Sequence, residues 1–410
     1  MRSRHPALLP VLSVQFIGAF GVSLVLPFLI FVVRDLGGNG LAYGILGAMY
    51  PATQMIGAPW LGRLSDRIGR RPVLAITQSG TMLSWLLFLG AMTMPRVELL
   101  QMPLGLLTVP LIGLFVARAL DGLTGGNIAV ANAVVADVSG DADRSTNFGR
   151  MGVAQNLGFI AGPMLAGLLG GTALGAKLPV MSAVGVAAIG LALIWFRLPE
   201  TRHRGESVEE SVPDLGLREA LRLPGAALLL PLYFVIFLAF NVFYTAFPVH
   251  AAEALDWTPS RMGLFFAVLS GMMVLVQGPL LARIAPRVPA AVLVAGGNVL
   301  LAGAFLCLTT GRSDLTWVCA ALFALGNGLM WPSYLAVLST IGGSRYQGAI
   351  QGHAASMGSA AAIAGLLLGG VLYDVSGPAT FFVPSTVILL AGLVSGRVCH
   401  ERAPEASSHA

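Results

Sequence analysis

Arg118 and Asp121 have the strongest claim to chemistry in this sequence. They stand three positions apart inside a long apolar run, so on a helix they share a face and can pair. A helix unbroken from there to Asp137 puts Arg118 roughly 28 Å from the polar end of the run. In a membrane that depth is near the middle, where an ionisable side chain is expensive and marks a functional site by default. Two readings stand side by side. In one the pair is structural and holds a bundle together. In the other Asp121 binds a proton when the surrounding pathway opens outward, and Arg118 depresses or releases it as contacts change. No nucleotide-binding P-loop, metal-ligand cluster or nucleophile–base set occurs. The sequence therefore predicts no enzyme activity, no cofactor and no ATP-driven step.

The elements that must position such a pair are membrane helices. Of 410 residues, 56% are hydrophobic and only 10% charged, against roughly a quarter charged in soluble domains. So little charge cannot cover a water-facing surface. The apolar residues come in runs of about 20, long enough to cross a bilayer core. Twelve spans are predicted, over 8–32, 42–62, 73–94, 103–130, 149–171, 179–197, 225–250, 262–282, 289–309, 315–338, 350–372 and 379–398. The predicted fold class is all-α: a polytopic membrane protein with twelve transmembrane helices in two pseudo-symmetric six-helix bundles. They cover 1–197 and 225–398, with a charged cytoplasmic linker at 198–224 and a cytoplasmic tail at 399–410. With the N-terminus inside, 18 arginines fall on inner segments and 5 Arg or Lys on outer ones, which the positive-inside rule favours. Met1–His5 leads into the first span without a cleavage site, so that span is read as retained. The net charge of +5 is scattered in short clusters and implies no nucleic-acid partner. Cys307, Cys319 and Cys399 lie in apolar runs or near the C-terminus, and no structural disulfide is expected.

Three motifs sit on this frame. Gly62-Arg63-Leu64-Ser65-Asp66-Arg67-Ile68-Gly69-Arg70-Arg71-Pro72 forms a tight basic turn between spans 2 and 3. Gly62 and Gly69 let backbones approach, and Asp66 can accept from helix-end N–H groups or pair with an arginine. Such contacts can latch one conformation and break in another; four arginines also set topology. In span 4, Arg118 and Asp121 are followed by Gly122, Gly125 and Gly126. In span 5, Gly149, Gly158, Gly162, Pro163, Ala166 and Gly167 give the pattern G-x8-G-x3-G-P-x2-[GA]-G. Gly158 and Gly162 make a small-xxx-small face for close helix packing, and Pro163 can bend the helix. A tightly packed helix of this kind between the halves suits a rocking motion. Ala58-Pro59 with Arg63 is weakly echoed by Gly278-Pro279 with Arg283, and Gly125-Gly126-Asn127 by Gly326-Asn327-Gly328, which fits two related bundles and which a Gly-rich membrane sequence also gives by chance.

The first motif resembles the inner 2–3 loop of the major facilitator superfamily, the second its span 4 pattern, and the third the motif of its drug–proton antiporters. Asp137, Arg144 and Gly149 close the inner 4–5 region in the same manner, and Pro199-Glu200-Thr201 after span 6 is typical. From Gly21 to Thr201 the chain is similar to the tetracycline-efflux-like branch. That branch carries an acid early in span 1 where this chain has Gly18, so tetracycline itself is not implied. In the second half Pro286 stands at the position matching Asp66.

The resemblance implies secondary efflux of a small organic compound or drug in exchange for protons. The setting is the bacterial inner membrane, the unit is a monomer in the lipid bilayer, and both termini are cytoplasmic. Asp121 and Arg118 would couple the proton. Gly62, Asp66, Arg67, Gly69, Arg70, Gly122, Asp137, Arg144, Gly149, Gly158, Gly162, Pro163 and Gly167 would serve the conformational switch. Superfamily members line their pathway with spans 1, 4, 7 and 10. Polar residues inside apolar runs are therefore cavity candidates: Asn241 and Tyr244 in span 7, Asn327 and Trp331 in span 10, and Gln54 and Asn156 in spans 2 and 5. Tyr334 shares a face with Asn327 and Trp331. Aromatic rings beside amides suit a broad, partly apolar, even cationic substrate, although Trp and Tyr also anchor interfaces. Two other functions stay open: import or uniport of a metabolite on the same fold, and a non-transporting membrane scaffold.

Overall fold

Apolar runs become helices here because in lipid every backbone N–H and C=O must be bonded within its own segment. The computed structural model describes residues 6–25, 28–125, 127–170, 172, 174–201, 216–339, 341 and 343–401. Met1–His5, most of the linker, the end of the tail and Gly126 lie outside the described residues, as do the side chains of Arg144 and Cys399. Contacts divide the chain into two compact units, Met1–Glu206 with Trp257–Ala267, and Ser207–Asp256 with Val268–Ala410.

In the first unit the helices are α1 (Leu8–Val25), α2 (Leu29–Asp35), α3 (Gly40–Ile68), α4 (Arg70–Ala91), α5 (Val109–Thr124), α6 (Asn127–Asp137), α7 (Asp141–Gly170) and α8 (Lys177–Arg197). A hairpin of β1 (Glu98–Met102) and β2 (Gly105–Thr108) precedes α5. The second unit holds α9 (Leu217–Ala220), α10 (Ala226–Glu253), the later part of α11 (Pro259–Leu275), a π turn at Val276–Leu280, α12 (Leu281–Ile284), α13 (Ala290–Leu308), α14 (Ser313–Ser339), α15 (Gly343–Ser376), a 3-10 turn at Gly377–Phe381, and α16 (Phe382–Glu401). Nine stretches of the described residues are long and apolar enough to cross a membrane, and one of them, Ala349–Ser395, runs through both α15 and α16. The long helices α3 and α7 are not among the nine; α3 carries the arginines and aspartate of the 2–3 loop. Trp60, Trp195, Phe196 and Val375 point outward with more than half their surface uncovered, as a lipid-facing surface allows.

Span 4 differs from the sequence prediction in two ways. Span 4 begins at Val109, not 103, because residues from Glu98 onward pair as a hairpin. Thr108 ends that hairpin and caps α5, its hydroxyl accepting from Leu111 N at 3.3 Å. The helix also stops at Thr124 and restarts at Asn127, so Arg118 and Asp137 are not on one unbroken rod. The glycine pair Gly125-Gly126 is a weak helix former, and the Gly125 carbonyl is taken by the Gln54 side chain at 2.7 Å.

Small residues allow close helix packing in both units. In the first, α7 lies on α1: a methyl at Gly158 would sit 2.5 Å from the Phe16 carbonyl oxygen, and one at Gly162 would sit 2.9 Å from the Phe20 carbonyl oxygen. In the second, α15 lies on α10: a methyl at Gly365 would sit 2.6 Å from the Leu238 carbonyl oxygen, and one at Gly369 2.6 Å from that of Val242. Only glycine lets the backbones approach so closely.

Candidate functional site

Arg118 and Asp121 meet as their spacing predicts. Arg118 Nη1 lies 3.0 Å from Asp121 Oδ2, with the side chains 5% and 1% exposed. Three helices enclose them. Tyr50 of α3 presents its ring 5.1 Å from the guanidinium and Trp85 of α4 lies 5.9 Å away, so the cation has aromatic faces as well as a carboxylate. Thr81 of α4 also hydrogen-bonds Asp121. Arg118 Nε is buried without a hydrogen-bond partner among the described residues. A buried pair with a spare donor is not fully satisfied, and such a group is sensitive to what enters beside it. Gly122 lets α5 seat against Tyr50 and Thr53 of α3, which holds the pair at this depth.

The loop motif builds a second charged cluster at the ends of α3, α4, α6 and α8, within the first unit. Gly69 separates α3 from α4 at φ +109°, a conformation that favours glycine. Arg70 then reaches three ways: Nη1 to Asp66 Oδ1 at 2.5 Å, Nη1 to Ser65 Oγ at 2.8 Å and Nε to Asp137 Oδ2 at 3.0 Å. The Glu200 carboxylate caps α4 from a distant part of the chain, accepting from Arg70 N at 2.9 Å and Arg71 N at 3.1 Å. Arg71 Nη2 donates to the Trp195 carbonyl at 2.6 Å, and Thr201 Oγ1 to Asp137 at 3.3 Å. Gly62 does not approach another backbone; nothing lies within 4 Å of a methyl built there. The same openness holds at Gly149.

The span 5 glycines divide accordingly. Gly158 and Gly162 pack on α1 of their own unit, so their close contact is internal and not one between halves. Ser23 Oγ of α1 donates to the Gly158 carbonyl at 3.1 Å. Pro163 lies inside the continuous α7.

The cavity candidates are scattered. Gln54 spends its amide on Gly125 O and on Tyr50 Oη, 3.1 Å away. Asn156 is exposed on α7. Asn241 donates to Phe237 O of its own helix at 2.7 Å and sits beneath Gly365. Tyr244 is 42% exposed and edges onto Phe243. Asn327 Nδ2 lies 3.9 Å from Met273 Sδ. Tyr334 is buried and donates to Leu229 O at 2.5 Å, a strut between α14 and α10. Trp331 joins a larger group, with the Tyr334 ring stacked 6.4 Å away. Its ring centroid is 5.3 Å from Tyr233, 5.7 Å from Phe237 and 6.2 Å from Phe240. That half-buried aromatic wall went unread in the sequence, where the α10 aromatics pass as ordinary apolar filling. An apolar depression of about 430 Å³ on α1, α7 and α8 holds none of the candidates. Among the described residues no group of His, Cys, Asp and Glu is placed to hold a metal.

The profile of the Major Facilitator Superfamily matches residues 11–365 and, overlapping, 231–409. The tetracycline resistance protein, class G, of Vibrio anguillarum is 30% identical over 385 residues, covering 90% of this chain and 91% of its own. Multidrug resistance protein 2 of Bacillus subtilis (strain 168) is 26% identical over 383 residues, covering 89% and 88%. Among solved structures, that of a D-xylose–proton symporter aligns with a TM-score of 0.74 at 13% identity, covering 95% of this chain and 96% of that one; at that identity it speaks for the fold alone.

Proposed function

The chain belongs to the Major Facilitator Superfamily and is a multi-pass membrane transporter of small molecules, not an enzyme, and from that premise we propose that it exports a small organic compound or drug in exchange for protons. The reading includes twelve crossings, a bundle at 1–197, a linker at 198–224 and a second bundle at 225–398. It also includes both termini in the cytoplasm of a bacterial cell, and a monomer as the working unit. The observation that carries it is the Arg118–Asp121 pair, buried, ring-enclosed and one donor short of satisfaction. Asp121 takes the proton on the outward-open side. Protonation removes the partner charge of Arg118, whose guanidinium then turns to its aromatic neighbours or to substrate. Return of the pair expels the proton inward. The charged cluster around Arg70 locks the ends of four helices in one state and loosens in the other.

Export, as against import, is supported by relatives named for tetracycline and multidrug resistance. The aromatic wall of Tyr233, Phe237 and Trp331 supports a planar, partly apolar substrate. Tetracycline is not proposed. Where the resembling branch has an acid, this chain has Gly18, and a methyl there would already sit 3.0 Å from Asn127 Nδ2. The test uses purified protein in proteoliposomes under an imposed pH gradient, with a panel of lipophilic cations, antibiotics, sugars and amino acids. Accumulation of an organic drug that stops when the gradient is collapsed is the expected outcome. Metabolite uptake indifferent to the gradient would replace export with the importer or uniporter reading.

A further inference from the structure

His250 and Tyr373 form a buried polar contact that the transport reading above leaves unused. His250 is 0% exposed and Tyr373 5%. His250 Nδ1 lies 2.8 Å from Tyr373 Oη, and the Tyr373 and Phe381 rings stand edge-on to the imidazole at 5.7 and 5.4 Å. The other ring nitrogen, Nε2, is buried with no hydrogen-bond partner among the described residues. In either neutral tautomer the pair keeps one hydrogen-bonding group unpaired: Nε2–H when Nδ1 accepts from the tyrosine, or the Nε2 lone pair when Nδ1 donates. A native structure seldom leaves such a group buried without a reason.

The surroundings pull the ring in opposite directions. Burial between α10, α15 and the turn Gly377–Phe381 disfavours a cation. The last turn of α10 favours one. The His250 carbonyl accepts from Ala254 N at 2.9 Å, so the ring stands at the helix C-terminus, the negative end of its dipole. Glu253, exposed three residues on, places its charge where Tyr373 feels it. Of the elements packed on α10 there, α15 brings Tyr373 with the exposed Asp374 next to it. The turn brings no ionisable group, and α16 carries none before Arg397.

We propose that His250 is a second proton-binding site, in the second unit, and that its occupancy is linked to separation of this end of α10 from α15. The neutral ring fits the closed packing against Tyr373. The protonated ring has two N–H donors and a charge, and the closed site supplies one oxygen. It is accommodated when the helix end parts and Nε2–H reaches water or the Glu253 carboxylate. Proton binding and closed packing therefore exclude each other. This deepens the proton-exchange reading and rests on it for its role in transport, though not for its detection.

The test is hydrogen–deuterium exchange of the full chain in lipid nanodiscs, without substrate or gradient, corrected for intrinsic rates. It runs between about pH 5 and 8, where histidine changes charge. In the wild type the backbone amides around Ala251–Leu255 and Leu372–Phe381 are expected to exchange on the order of tenfold faster at the acid end. His250→Gln should abolish that dependence. Tyr373→Phe keeps the titrating ring but removes its one hydrogen-bond partner in the closed packing, so the rise should move to higher pH. Exchange in the wild type that does not respond to pH overturns the assignment, as does a His250→Gln variant that responds as the wild type does. If His250→Gln fails to fold, an unmoved rise in Tyr373→Phe overturns it equally. Since neither substrate nor gradient is present, proton-driven drug export with flat exchange would sink this site alone. A pH-dependent opening without such export would sink the transport reading alone.

Discussion

The α1–α7 pair of the first unit and the α10–α15 pair of the second are built to one contact plan. A methyl on Gly158 meets Phe16, Ala19 and Phe20; on Gly365 it meets Leu238, Asn241 and Val242, each the same number of residues along. The match continues one turn on, where Gly162 faces Ser23 and Gly369 faces Thr245. It ends at the following turn. Ala166, a buried apolar residue, comes one turn after Gly162 where Tyr373 comes one turn after Gly369, and α1 ends at Val25 while α10 runs on through His250 to Glu253. A shared backbone plan thus carries different chemistry. The first unit places its ionisable pair in α5, at Arg118 and Asp121. The second seals the end of its glycine ladder with a histidine and a tyrosine. A fold of repeated units keeps small residues where backbones touch and is free to change what lies at the ends.

The matched positions give matched tests. Gly162→Leu and Gly369→Leu should have the largest effect, and a similar one. Each drives a side chain into a facing backbone, an overpacking that costs about 1–3 kcal/mol or more. Transport and the yield of folded protein should both fall steeply, read by uptake and by size-exclusion of purified protein. A fully active variant in either unit would break the equivalence. Asp121→Asn comes next. It keeps the shape and a hydrogen bond to Arg118 but binds no proton, so gradient-driven transport should be lost while the protein inserts and folds; unaltered coupling would remove Asp121 as the proton site. Glu200→Ala has a smaller effect. It uncaps α4, which costs about 0.5–2 kcal/mol, seen as a lowered melting temperature. In the second unit α13 opens at Pro289 with no side-chain cap, so no acid there has a comparable role.

The finest contrast is Ser23→Ala against Thr245→Val. Ser23 donates across the helix pair to Gly158, and its loss should cost about 0.6 kcal/mol, typical of interhelical hydrogen bonds in membranes. Thr245 Oγ1 is buried without a partner among the described residues, so replacing it by an isosteric methyl should be neutral or slightly stabilising. Equal costs in the two variants, measured by denaturation in detergent, would show that the two ladders do not differ there.

Length and hydropathy made most spans legible, because a bilayer demands both. The hairpin at Glu98–Thr108 was not legible. Its leucines extend the apolar run of span 4, and only pairing with the neighbouring strand shows them to be strands. The break after Thr124 was hidden for a related reason: glycine pairs are common in membrane helices, and it is the Gln54 amide that occupies the freed carbonyl. The Arg118–Asp121 contact was readable because its spacing is local. Tyr50 and Trp85 around it were not, since their approach depends on how α3 and α4 lie against α5. Glu200 stood in a recognised tripeptide without a role, and its role as a cap joins positions about 130 residues apart. Tyr373 and His250 are separated by 123 residues, and nothing in either local sequence marks the other.

The proposed exchange turns on protons moving through Asp121. The most direct measurement loads proteoliposomes with a pH-sensitive dye, imposes a gradient of a transported compound and follows internal pH. With wild-type protein, flow of the compound down its gradient should drive protons the opposite way. With Asp121→Asn, that proton movement should vanish even where the compound still exchanges. Proton movement of wild-type size through the variant would contradict the account.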